Sequence, residues 1–74
     1  MTVIEFGTAL RRAGVKQWHE KGGNVWAFRH KNYRYEVSLC SDAWRQQLVG
    51  CTRWTRQGHN IESLFEEIEG KVTT

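Results

Sequence analysis

The stretch Asn24 to Cys40 reads NVWAFRHKNYRYEVSLC. Apolar and polar side chains alternate on both sides of a short break at Lys31-Asn32. Trp26, Phe28 and His30 share one face of the first half; Tyr33, Tyr35, Val37 and Leu39 share one face of the second. Period-two alternation of this kind predicts two half-buried strands. A two-residue turn at Lys31-Asn32 sets His30 opposite Tyr33, Phe28 opposite Tyr35 and Trp26 opposite Val37. The large apolar groups then lie on a single face. The same register sets Arg29 opposite Arg34 on the other face, where like charges repel. Water tolerates that arrangement, but an anionic ligand explains it better.

Working outward, Lys21-Gly22-Gly23-Asn24 is expected as a turn, since glycine reaches positive φ at little cost. Val15 to Glu20 is expected as a short strand with Trp18 turned inward. Before it, Thr2 to Ala13 reads as a helix. Thr2 and Glu5 have capping-box spacing, Val3, Phe6, Leu10 and Ala13 form a stripe, and Gly14 is the stop. After the hairpin, Ser41-Asp42 is a break. Residues 43–56 suit either a strand or a short capped helix ending at Gly50. β-prone Val49, Cys51, Thr52 and Trp54 favour a strand from Gln46 to Thr55. Gln57-Gly58-His59 is expected as a turn. Asn60 caps a final helix with Ile61, Leu64, Phe65 and Ile68 inward, Gly70 ends it, and residues 71–74 are expected to fray.

The expected fold class is α+β: one domain over residues 1–74, with a small three- to four-stranded antiparallel sheet and an N-terminal and a C-terminal helix packed on one face. At 74 residues such a chain buries only about 60% of its unfolded surface. Its four Trp, three Phe and two Tyr supply much of the core, because each covers a large area.

Charge is unevenly spread. Residues 1–60 carry ten Lys or Arg against four acids, and residues 61–74 carry one Lys against four Glu. A basic body suggests nucleic acid or an acidic protein surface as partner; solubility alone is the bland alternative. No run reaches the roughly 20 apolar residues of a membrane span. The order of charges in MTVIEFGTALRR is wrong for a secretory signal, so a cytoplasmic location is expected. Cys40 and Cys51 are expected as small, buried or half-buried thiols rather than a bridge. His19, His30 and His59, with the two cysteines, match no zinc spacing, and neither metal nor cofactor is expected.

The predicted binding surface is the uncovered sheet face. Arg29, Arg34 and Arg53 would meet phosphates, with Arg45 and Lys31 at the edges, and Ser38, Gln47 and Thr55 would interleave as hydrogen-bonding groups. Arginine forks suit phosphate oxygens and guanine edges. Trp44 and Trp54 lie among arginines and could stack unpaired bases, although tryptophans in so small a domain are more often core. The expected function is thus a small non-enzymatic protein engaging nucleic acid, or a nucleic-acid-binding complex. One alternative is an inhibitor or adaptor of the sort encoded by phages, anti-CRISPR-like in kind, that binds a host protein complex. Another is a metal-independent ribonuclease of toxin type using His19, His30 or His59.

Residues 10–39, LRRAGVKQWHEKGGNVWAFRHKNYRYEVSL, resemble the front half of HicA-type toxins. The shared elements are the helix ending at Gly14, the Lys21-Gly22 turn and the Phe28 to Val37 hairpin. The resemblance implies a fold of helix, three strands and helix, as in double-stranded-RNA-binding domains, and a small ribonuclease. The family's catalytic histidine follows the turn. Asn24 stands at that position here, so the resemblance does not carry the activity over.

Overall fold

The computed structural model describes residues 1–70, and the fraying expected of residues 71–74 lies outside them. Seven elements follow in order: α1 (Val3–Arg12), β1 (Trp18–Gly22), β2 (Val25–His30), β3 (Tyr33–Ser38), β4 (Ala43–Leu48), β5 (Trp54–His59) and α2 (Ile61–Ile68). The strands form one antiparallel meander in the order β1-β2-β3-β4-β5. The α+β class stands, and the sheet has five strands rather than three or four.

The β2–β3 hairpin has the expected register. Trp26 faces Val37, Phe28 faces Tyr35, Arg29 faces Arg34 and His30 faces Tyr33. Lys31 makes the reversal in the left-handed region, at φ 56°. The β1–β2 reversal is shorter than expected. β1 runs on to Gly22, and Gly23 (φ 60°) with Asn24 (φ 59°) forms a two-residue turn. Positive φ at both positions matches the right-handed twist of paired strands. β1 also begins later than expected, at Trp18, because Val15 is buried in the core rather than paired in the sheet.

Residues 46–59 also fold differently from expectation. The single strand expected from Gln46 to Thr55 is two strands. Gly50 (φ 90°) lies in the reversal between β4 and β5, and Cys51 N–H donates to the Leu48 carbonyl at 3.0 Å. Gln57-Gly58-His59, expected as a turn, is the second half of β5. Gly58 faces Trp44 across the ladder. A Cβ at Gly58 would lie 2.8 Å from Trp44 Cζ2. This glycine makes room for an indole ring, one of the uses of glycine inside a strand.

Both helices pack on the face bearing Trp18, Phe28, Tyr35, Val37 and Trp44. Phe6 and Leu10 of α1 and Ile61, Leu64 and Phe65 of α2 are buried against it. Phe28 stacks between Tyr35, with ring centroids 5.0 Å apart, and Phe65, at 5.9 Å. Gln46 is a buried polar side chain in this layer with both ends of its amide bonded: its Nε2 donates to Tyr35 Oη at 2.9 Å, and Thr55 Oγ1 donates to its Oε1 at 3.1 Å. A buried amide left unpaired would cost about 1–3 kcal/mol.

The caps hold as expected. Glu5 N–H donates to Thr2 Oγ1 at 3.1 Å, and Thr2 N–H donates to Glu5 Oε1 at 2.8 Å. The α1 stripe is rotated from expectation, with Phe6, Ala9 and Leu10 inward and Val3 47% exposed. α2 has two capping side chains. Asn60 Oδ1 accepts from Ser63 N–H at 3.2 Å, and Asp42 Oδ1 accepts from Ile61 N–H at 2.9 Å. Arg56 on β5 makes a two-pronged ion pair with Glu67, fastening α2 to the far edge of the sheet. Cys40 and Cys51 are free and exposed, not buried or half-buried. Among the described residues no helix is long and apolar enough to cross a membrane.

Candidate functional site

With both helices on one side, the opposite sheet face is left bare by the described residues, and strand register fixes what stands on it. One row runs Arg29, Arg34, Gln47, Trp54 across β2 to β5. The next runs His19, Ala27, Glu36, Arg45, Gln57 across all five strands. A third runs Val25, Ser38, Ala43, His59. Basic groups therefore gather towards the end carrying the β2–β3 turn and the β4–β5 loop. Small side chains occupy the other end.

Glu36 organises the middle of the face. Its Oε2 accepts from Lys21 Nζ at 2.6 Å, and its Oε1 accepts from Arg45 Nε at 3.2 Å and Nη2 at 2.7 Å. Lys21 is the extra residue at an irregularity in the β1–β2 ladder between Glu20 and Gly22, and it reaches over β2 to this carboxylate. Partial burial works to raise the pKa of Glu36. The hydrogen bonds from Lys21 and Arg45 outweigh burial and hold the group below the ordinary carboxylate range. Arg45 is gripped from a second side as well, with its guanidinium carbon 3.9 Å from the centre of the Trp54 ring.

Arg29 and Arg34 differ from Arg45. They face each other on neighbouring strands, both are exposed, and neither pairs with a carboxylate among the described residues. They border a depression of about 750 Å³ that Ala27, Lys16 and His19 also line, and no carboxylate of the described residues lines it. Four cationic or protonable groups thus converge on one concavity. Such a site attracts anions, and arginine forks match phosphate oxygens in pairs.

Of the five residues expected at the site, Arg29, Arg34 and Arg45 stand on the bare face. Lys31 lies in the β2–β3 turn and Arg53 in the β4–β5 loop, at the same end of the sheet. Arg53 is off the sheet because the expected single strand is broken there. Thr55, expected to interleave on the bare face, bonds instead to Gln46, where a ladder irregularity between Gln46 and Gln47 shifts the register. Trp44 is core as expected. Trp54 is not: it is 38% exposed and stacks with Arg45 on the bare face.

Sequence reading passed over Lys16 as a site residue and placed His19 only in a ribonuclease. The β1–β2 hairpin, turned at Gly23-Asn24, brings both beside Arg29. His19 and His59 stand on opposite edge strands, about 19 Å apart at the usual strand spacing, while His30 faces Tyr33 on the helix-side face. The three histidines do not converge. Burial, then the nearby Lys31 charge, lowers the His30 pKa. Comparison with protein-family models, curated proteins and solved structures gave no match to this chain.

Proposed function

We propose that this chain is a non-enzymatic binding protein that engages nucleic acid through the bare face of its sheet. One observation carries the reading: Arg29 and Arg34 stand opposite each other without a carboxylate partner among the described residues, in a concavity shared with Lys16 and His19. Folding gains nothing electrostatic from that clustering, while a phosphate backbone would neutralise it. Glu36 supports the reading from the other direction. It satisfies Lys21 and Arg45 and leaves the Arg29–Arg34 row as the cationic surplus of the face.

Fluorescence anisotropy of labelled 15-mer oligonucleotides, titrated with the protein at about 50 mM salt, tests this. Saturable binding that falls steeply with salt is expected. Absence of binding to both DNA and RNA at low salt would overturn it.

A second reading, a protein-binding inhibitor or adaptor, is favoured by the helical side. Ile4 is 82% exposed beside a groove between α1 and α2 that Glu62 and Glu66 also line. That surface complements a basic protein segment carrying an apolar anchor. Pull-down from lysate with and without nuclease separates the two. Nuclease-sensitive capture supports the first reading, and nuclease-resistant capture of one protein supports the second.

A further inference from the structure

The bare face holds a second concavity, at the end away from Arg29 and Arg34. Its volume is about 360 Å³. It is lined by Val25, Ser38 and Ala43, by Arg45, Gln57 and His59, and by the Glu36 carboxylate that holds Arg45. Small-molecule pockets span about 300–1,000 Å³, so this one suits a single small ring system.

Arg45 makes it more than a gap over small side chains. Its guanidinium is held by two hydrogen bonds to Glu36 and lies against Trp54, yet the side chain stays 47% exposed. Trp54 lies towards the Arg29–Arg34 end and the concavity towards the other. Arg45 thus both contacts an aromatic ring and lines an open cavity. Guanidinium planes stack on nucleobases, and a base in the cavity would extend the Trp54–Arg45 stack by one layer. Gln57 offers an amide donor and acceptor, and Ser38 a hydroxyl, to the edge of such a ring. Arg34 and Ser38 are four residues apart on β3, about 13 Å, so anion site and cavity lie along one track.

We propose that this concavity receives an unpaired nucleobase, and hence that the face selects single-stranded over duplex nucleic acid. Bases stacked and paired in a duplex cannot enter it. The inference rests on the phosphate reading above.

The test uses the full chain and four probes: a fluorescein-labelled 15-mer in deoxyribo and ribo form, each single-stranded and annealed to its complement. Ala43→Leu fills the cavity from β4 and leaves every Lys and Arg of the chain in place; Ser38→Val does the same from the next strand, should the first variant unfold. Single strands are expected to bind about tenfold tighter than duplexes, in the range of one base stack. The filling variant is expected to lose about tenfold on single strands with its salt slope unchanged, because phosphate contacts are untouched. The deoxyribo and ribo arms show which sugar the face accepts. Duplex binding as tight as single-strand binding, or a folded filling variant within twofold of wild type, would overturn the base cavity and leave the phosphate face standing. Failure of all four probes at low salt would overturn both.

Discussion

Arg34→Gln should make this protein more stable and a poorer binder at the same time. Arg34 and Arg29 are directly opposed on β3 and β2, where facing side chains start about 4.5–5.5 Å apart at Cβ. Like charges so placed are destabilising, on the scale of the about 0.2–1 kcal/mol that a favourable cross-strand pair contributes, and no described carboxylate offsets them. Glutamine keeps part of the aliphatic stem and removes the charge. The expected gain is about 0.5 kcal/mol at low ionic strength. For a domain of this size 1 kcal/mol moves Tm by about 4–8 °C, so the variant should melt about 2–4 °C higher. At about 1 M salt, where the Debye length is about 3 Å, the gain should largely vanish. Circular dichroism melts at both salt concentrations measure it. A lower Tm at low salt would refute the reasoning, because it would mean that Arg34 is held by favourable contacts within the fold. So would a gain that high salt leaves intact, since it would not be electrostatic.

Gly58→Ala should destabilise the chain by about 1–3 kcal/mol, the usual penalty for overpacking, because the new methyl would lie 2.8 Å from the Trp44 ring; chemical denaturation reads this directly. Glu36→Gln should cost about 1 kcal/mol at pH 7, a figure held down by the solvent exposure of Lys21 and Arg45. Glu36 has its pKa lowered in the folded state. Its contribution is therefore complete above the ordinary carboxylate pKa of about 4.5 and is lost as pH falls through the lower folded value. The gap between wild type and variant should close over that acid range, as urea midpoints against pH will show.

The hairpin at residues 24–40 was legible because its alternation, turn and register all agree, and one buried face fixes a strand register strongly. The helix ends were legible for a similar reason, since Thr2, Glu5 and Asn60 act on backbone groups within three residues. Residues 46–59 were misread because glycine has two opposite uses there. Gly50 takes a positive φ and reverses the chain, yet it sat in phase with an unbroken alternation. Gly58 resembled a turn and instead clears space for Trp44, a neighbour 14 positions earlier. Trp54 was assigned to the core on the strength of its residue type, but the reversal at Gly50 brought it to the bare face beside Arg45. The basic cluster was half legible. Arg29 and Arg34 follow from the hairpin alone, whereas Lys16 and His19 arrive through the β1–β2 pairing and Glu36 claims Lys21 and Arg45 only in three dimensions.

The most direct measurement is the salt dependence of single-strand binding for the wild type and the Arg29→Ala, Arg34→Ala double variant. Each phosphate contact on a single strand contributes about −0.7 to the slope of log K against log salt. If each arginine meets one phosphate, the double variant should bind more weakly with a slope shallower by about 1.4, while its circular dichroism spectrum stays that of the wild type. A folded double variant with the wild-type slope and affinity would contradict the claim that this arginine row is where the ligand's charge is met.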